Sequence, residues 1–225
     1  MSGAIAIFVK TPELSPVKTR LAVKLGQQYA EAFHLASARS VSSVVQTLMD
    51  DVQGYYAVAE RSALKHPSWH DLPCLWQGEG GLGERMAHIY QTLLSEHDFV
   101  LLVGADIPQM TTTDLLTAST WLPCFEQEKL VFGPSVDGGF WLFGGNCSIP
   151  QELWTDVIYS EAETGAQFFT NMSQVGEIKV LKTLRDVDEP EDLLSLRMEL
   201  LELTKPLPAQ QELVRFLATI GARIQ

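Results

Sequence analysis

The chain has 225 residues, a formal net charge of −12, 46% hydrophobic and 20% charged residues. That length supports one sizeable α/β domain, and so acidic a balance argues against nucleic acid or an anionic membrane surface as a general partner. No apolar run reaches the roughly 18 residues needed to cross a bilayer, and the first residues carry no basic segment ahead of an apolar stretch. Three scattered cysteines (Cys74, Cys124, Cys147) without CxxC spacing fit neither a disulfide framework nor a zinc site. A reducing cytoplasm is the expected location.

Residues 3–9 form a short apolar run, as expected of a strand covered on both faces. A polar loop with Pro12 and Pro16 follows, and then Tyr29, Phe33, Val41, Val44, Val45 and Leu48 mark one face of a long helix ending near Asp50. Residues 54–59 read as a second strand and 72–76 as a third, weaker one, ahead of a helix over 84–94. Residues 99–103 give the clearest strand, and Thr111 or Thr112 caps the helix after it. Two strands, 130–132 and 140–143, are joined by a loop containing Asp137-Gly138-Gly139, which suggests an antiparallel element inserted late. A helix over 166–172, a strand over 178–181, a leucine-rich helix from Pro190 and a last helix over 210–220 complete the chain. Strands alternating with helices predict a mostly parallel sheet covered on both faces, in a single domain over 1–225 with a helical tail from about 190.

Ligands of open α/β sheets bind at the C-terminal ends of the strands, so the residues just after each strand carry the functional signal. The first thirty residues hold four bases (Lys10, Lys18, Arg20, Lys24) against one acid, Glu13. Lys10, Lys18 and Arg20 could converge on phosphate oxygens, although the glycines of a Walker A loop are missing. After the third strand, Gly78, Gly80 and Gly83 satisfy the dinucleotide fingerprint G-x-G-x-x-G, with Asp106 where a ribose-binding acid would lie. Against that reading stand its late position in the chain and two glutamates, Glu79 and Glu84, beside the supposed pyrophosphate; a structural Gly-rich turn is the alternative. Asp106, held by Pro108 at the end of the fourth strand, is placed either to hold Mg²⁺ or Mn²⁺ against a diphosphate or to cap the next helix. Asp186 and Asp188 share one side of an extended segment and either complete a metal site or, through Asp188, cap the helix at Pro190. Asp137 serves either a hairpin turn or a bound ligand. Five histidines without ligand spacing, and no GxSxG elbow, leave no case for covalent serine or cysteine catalysis.

Taken in order, five segments carry a resemblance: residues 8–12 with 17–21, 77–86, 103–108, 133–142 and 186–193. They resemble the blocks of the radical-SAM/selenodomain-associated transferases, predicted glycosyltransferases of the GT-A nucleotide-diphospho-sugar transferase superfamily. Distant relatives include guanylyltransferases of molybdenum-cofactor synthesis and phospholactate guanylyltransferases. The resemblance implies a GT-A-like three-layer sandwich with a mostly parallel mixed sheet and a nucleotide-sugar donor. Lys10, Thr11, Lys18, Arg20, Gln77, Gly78 and Arg85 would surround the nucleotide. Asp106, with Asp188, would hold Mg²⁺ or Mn²⁺, while Arg20 and Asp137 would serve catalysis, Asp137 on the acceptor side. Nucleotidyl transfer from an NTP to a small phosphorylated acceptor, and a nucleotide-binding module without catalysis, are the alternatives. The implied partners are a nucleotide-sugar or NTP and a small-molecule acceptor, with no nucleic acid and no membrane insertion. The chain departs from the family pattern at Leu14-Ser15, where related loops carry Pro-Gly, at Ile107 for cysteine, and at Tyr159-Ser160-Glu161 for Trp-Ser-Thr.

Overall fold

The computed structural model describes residues 2–124 and 126–219. Seven strands form one sheet: β1 (Gly3–Val9), β2 (Val52–Val58), β3 (Cys74–Trp76), β4 (Phe99–Gly104), β5 (Lys129–Pro134), β6 (Phe140–Gly145) and β7 (Glu177–Val180). Their order is β3-β2-β1-β4-β6-β5-β7, with β6 antiparallel to both neighbours and all other pairs parallel. The expected mixed, mostly parallel α/β architecture is therefore present.

Side-chain alternation along the strands builds two core layers. In β1, Ile5, Ile7 and Val9 face one layer while Ala4 and Ala6 face the other. In β4, Leu101 and Val103 join the first layer, and Val100 and Leu102 the second. Helices α2 (Gln27–Gln46) and α4 (Thr112–Trp121) cover the first layer. Helices α3 (Leu82–Leu94), α5 (Gln151–Thr155) and α6 (Thr164–Met172) cover the second. A third cluster forms where α1 (Thr19–Leu25) and α2 meet the C-terminal pair α7 (Pro190–Glu202) and α8 (Pro208–Ala218), around Leu21, Phe33, Leu196 and Leu213. None of the described helices is long and apolar enough to cross a membrane.

Two helices escape the sequence reading. Helix α1 has seven residues and buries only Leu21, and α5 has five and buries only Trp154, so neither repeats its apolar signal. The long helix stops at Gln46 rather than near Asp50, and a turn carries the chain to β2. The last helix reaches Ala218; its expected end at Ile220 lies outside the described residues.

Phe143 is fully buried between Tyr90, Trp154 and Phe168, and anchors the second layer behind the β4–β6 pair. Phe143→Ala is expected to lower stability by about 3–5 kcal/mol, measured by urea denaturation. A loss below about 1 kcal/mol would mean this layer does not hold the sheet.

Candidate functional site

The chain leaves β1 toward β2 on one side of the sheet and leaves β4 toward β6 and β5 on the other. That reversal opens a crevice at the C-terminal ends of β1 and β4, the usual ligand position in open α/β sheets. Lys18 follows β1 and Asp106 follows β4, and the two meet there.

Lys18 Nζ lies 3.1 Å from Asp106 Oδ2 and 3.1 Å from Asp188 Oδ1. Its side chain is only 8% exposed, whereas those of Asp106 and Asp188 remain 37% and 42% exposed. Lys18 reaches inward from a left-handed backbone (φ 44°, ψ 50°), which a non-glycine residue rarely adopts. Burial works to lower the Lys18 pKa, yet the charges and hydrogen bonds of Asp106 and Asp188 outweigh it and hold it above its usual value. Burial likewise favours the neutral form of Asp106, but Lys18 prevails and keeps its carboxyl below the ordinary range. Arg20 Nη1 reaches Asp188 Oδ2 at 3.3 Å, and Lys24 Nζ reaches Glu191 at 3.3 Å. Both groups are well exposed, so these outer pairs add little to stability.

Several buried groups fix the carboxylates. Ser37 donates to Ala105 O at 2.6 Å, and Gln210 of α8 donates to Pro108 O and Met110 O at 2.9 and 3.0 Å, clamping the loop that carries Asp106. Gln109 donates to Arg185 O at 2.5 Å, tying that loop to the segment of Asp186 and Asp188. Gly104 is required for clearance, since a Cβ there would lie 2.7 Å from Asp106 Oδ1. Neither helix-capping alternative holds. Thr111 caps α4 in a reciprocal box with Asp114, and Glu189 is the N-cap of α7, whose free amides at Asp188 and Glu189 are taken by Asp192. Asp106 and Asp188 are left free for the crevice.

Val187 is fully buried, so Asp186 and Asp188 turn together toward the same side. Carboxylate oxygens of Asp106, Asp186 and Asp188 all lie within 4.8 Å of one another. Three hard oxygen donors from three carboxylates suit Mg²⁺ or Mn²⁺ in chemistry and spacing. Asp186 completes the trio; the sequence reading paired Asp188 with Asp106 and did not count Asp186 among the metal residues, although the two aspartates share one side of their segment. Burial first, and then the charges of Asp106, Asp137 and Asp188, push the Asp186 carboxyl up to about 7.

The other expected site residues divide. Lys10 is exposed at the mouth, and its carbonyl accepts from His34 Nε2 at 2.8 Å, which fixes the proton on that nitrogen. Burial lowers the His34 pKa and favours this neutral form. Thr11 turns away from the crevice: it is fully buried, its hydroxyl accepts from Trp69 Nε1, and its amide donates to Glu60. Its side chain anchors the loop from inside. Gln77 is buried and donates to Val9 O and Ala57 O, closing the ends of β1 and β2. Gly78 takes a positive φ of 87° just beyond it, and Arg85 Nε donates to Gly80 O at 2.9 Å. Asp137 is exposed in the β5–β6 loop and accepts from Gly139 N, so the hairpin turn exists, yet its charge is felt at Asp186. Ser15, where related loops carry glycine, needs no left-handed backbone; Glu13 (φ 71°) and Lys18 supply the positive-φ positions of that loop.

The dinucleotide alternative fails on geometry. Its glycines follow β3, an edge strand, and the N-terminus of α3 is closed by its own side chain, Glu84 Oε2 accepting from Gly81 N at 2.6 Å. A pyrophosphate would have to displace that carboxylate.

Residues 41–161 match the family described as "Uncharacterized protein conserved in bacteria (DUF2064)", and the chain belongs to that family. Among solved structures, it resembles a protein from Desulfovibrio desulfuricans G20 provisionally called a nucleotide-diphospho-sugar transferase. That match has 24% identity and TM-score 0.85, covering 100% of this chain and 97% of that one. More distantly it resembles CMP:2-keto-3-deoxy-manno-octonic acid synthetase bound to CTP, at 9% identity and TM-score 0.55, over 88% of this chain and 98% of that chain. A third is glucosyl-3-phosphoglycerate synthase from Mycobacterium tuberculosis with Mn²⁺ and UDP, at 11% identity and TM-score 0.52, over 97% and 79%. The sequence matches no curated protein. The fold is that of the nucleotide-diphospho-sugar transferases, and its neighbours include glycosyl- and nucleotidyltransferases.

Because the folded chain holds a proton on Asp186 up to about pH 7 and an unfolded chain releases it near 4, this group costs stability as pH rises through that window. Asp186→Asn removes the cost. In metal-free buffer its melting temperature is expected to exceed that of wild type by a clearly larger margin near pH 8 than near pH 5. An equal difference at both pH values would contradict the buried, crowded state of Asp186.

Proposed function

We propose that this protein is a Mg²⁺- or Mn²⁺-dependent transferase that takes its group from a nucleotide-sugar, acting as one unit over residues 1–225 in the cytoplasm. The radical-SAM/selenodomain-associated resemblance falls inside this reading. The observation that carries it is the trio Asp106, Asp186 and Asp188 facing Lys18 at the crevice between β1 and β4. Asp106 and Asp188, with Asp186, would hold the ion, which supplies Lewis-acid neutralisation of a diphosphate. Lys18, Arg20 and Lys10 offset the negative charge that grows on the departing nucleoside diphosphate as the glycosidic bond breaks, Arg20 with the geometry to grip two oxygens. Gln77, Gly78 and Arg85 shape the nucleotide end. Thr11 supports this loop from behind.

Asp137 stands on the acceptor side, where it accepts the proton of an attacking hydroxyl. The acceptor reading gains from an uneven charge map. Residues 130–178 contain no lysine, arginine or histidine. A segment without bases beside Asp137 disfavours a phosphorylated acceptor and suits an uncharged one.

A second reading is nucleotidyl transfer from an NTP, the activity named for two neighbours of the same fold. Both readings need the same carboxylates. With Mn²⁺ present, nucleotide-sugars are expected to raise the melting temperature of wild type, and Asp106→Asn to weaken that binding at least tenfold. Release of a nucleoside diphosphate supports the first reading and release of pyrophosphate the second. Unaltered Mn²⁺-dependent binding in Asp106→Asn would overturn both.

A further inference from the structure

We infer that Lys18 is the resident counter-cation of the carboxylate trio and must leave before a divalent cation can settle, so that nucleotide and cation are bound together rather than cation first. The inference rests on the reading of this crevice as a metal and nucleotide site and adds to it an order of binding.

The Lys18 ammonium already takes one oxygen from each of two members of the trio, at 3.1 Å. A divalent ion would have to sit about 2.0–2.6 Å from oxygens of the same small cluster. It would then face the buried Lys18 ammonium at close range, two like charges on the same oxygens. With Lys18 in place, the ammonium already occupies one oxygen of each of two carboxylates, whose loops Gln109, Gln210 and Ser37 hold through backbone carbonyls, so a second cation competes with it for the same oxygens.

What releases Lys18 is an anion. Its backbone sits in the left-handed region, and the short helix α1 begins immediately after it, so a change at this one hinge re-aims the whole side chain. Asp188 does not lose every basic partner when Lys18 departs, because Arg20 stays within 3.3 Å of its other oxygen. A diphosphate arriving with its own divalent ion offers Lys18 new oxygens and fills the place it vacates. Without the diphosphate, the ion must displace Lys18 from both carboxylates unaided. Lys18 is in this sense a positioning residue as well as a phosphate ligand.

The test is Mn²⁺ binding to the full chain, followed by electron paramagnetic resonance of free Mn²⁺, with and without UDP. Lys18→Gln shortens the side chain by one atom and keeps a hydrogen-bond donor but removes the charge; Lys18→Arg keeps the charge. Without UDP, Lys18→Gln is expected to bind Mn²⁺ at least tenfold tighter than wild type, and Lys18→Arg no tighter than wild type. UDP is expected to raise Mn²⁺ affinity by a larger factor in wild type than in Lys18→Gln, since the coupling includes the release of Lys18 only in wild type. This comparison uses folded protein in every arm, checked by circular dichroism. Equal Mn²⁺ affinity of wild type and Lys18→Gln without UDP overturns the inference and leaves the site reading standing. No Mn²⁺ binding by any of the three proteins, with or without UDP, overturns both.

Discussion

The ammonium of Lys18, held between Asp106 and Asp188, is the contact on which the organisation of this molecule depends. Three carboxylates within 4.8 Å of one another would repel strongly in a crevice, and without a cation the cluster would not persist. Lys18 answers that repulsion for two of them, and the third, Asp186, answers it by holding its proton. The local chain follows from this need: the left-handed backbone at Lys18, the glycine at 104 that leaves room for Asp106, and the buried Val187 that turns its two aspartate neighbours the same way.

Distant parts of the sequence converge to make that contact possible. Lys18 comes from the loop after the first strand, Asp106 from the fourth, and Asp188 from the segment ahead of the C-terminal helices. The sheet brings the first two together by reversing its winding between β1 and β4. The third is brought in by hydrogen bonds from Gln109, while Gln210 of the last helix locks the intervening loop. The C-terminal helices are thus part of the site's scaffold as well as of the third apolar cluster.

Most of the fold was legible because its signals are local and repeated. The uninterrupted apolar runs of β1 and β4 and the 20-residue face of α2 announce themselves. Helices α1 and α5 did not, since one buried side chain each gives no period. In the site, Asp106, Lys18 and Asp188 were legible from their positions after strands and from ordered motifs. The burial of Thr11 was not legible, because its neighbours are polar and nothing in the sequence shows that Trp69, 58 residues away, donates to its hydroxyl. Ser37, Gln109 and Gln210 carried no signal at all; a buried serine or glutamine that clamps a distant carbonyl looks like any surface residue until the chain is folded. The Gly-rich segment shows the opposite failure, a motif matched as a string and refused by Glu84 closing its own helix.

On the reading proposed above, the crevice between β1 and β4 binds a divalent cation through Asp106 and Asp188 when a nucleotide is present. Anomalous diffraction at the manganese edge, from crystals grown with Mn²⁺ and UDP, tests it most directly. The account predicts a single strong peak about 2.0–2.6 Å from oxygens of both aspartates, with Lys18 Nζ moved onto a phosphate oxygen. A nucleotide bound with Lys18 still bridging the two carboxylates and no peak between them would contradict it.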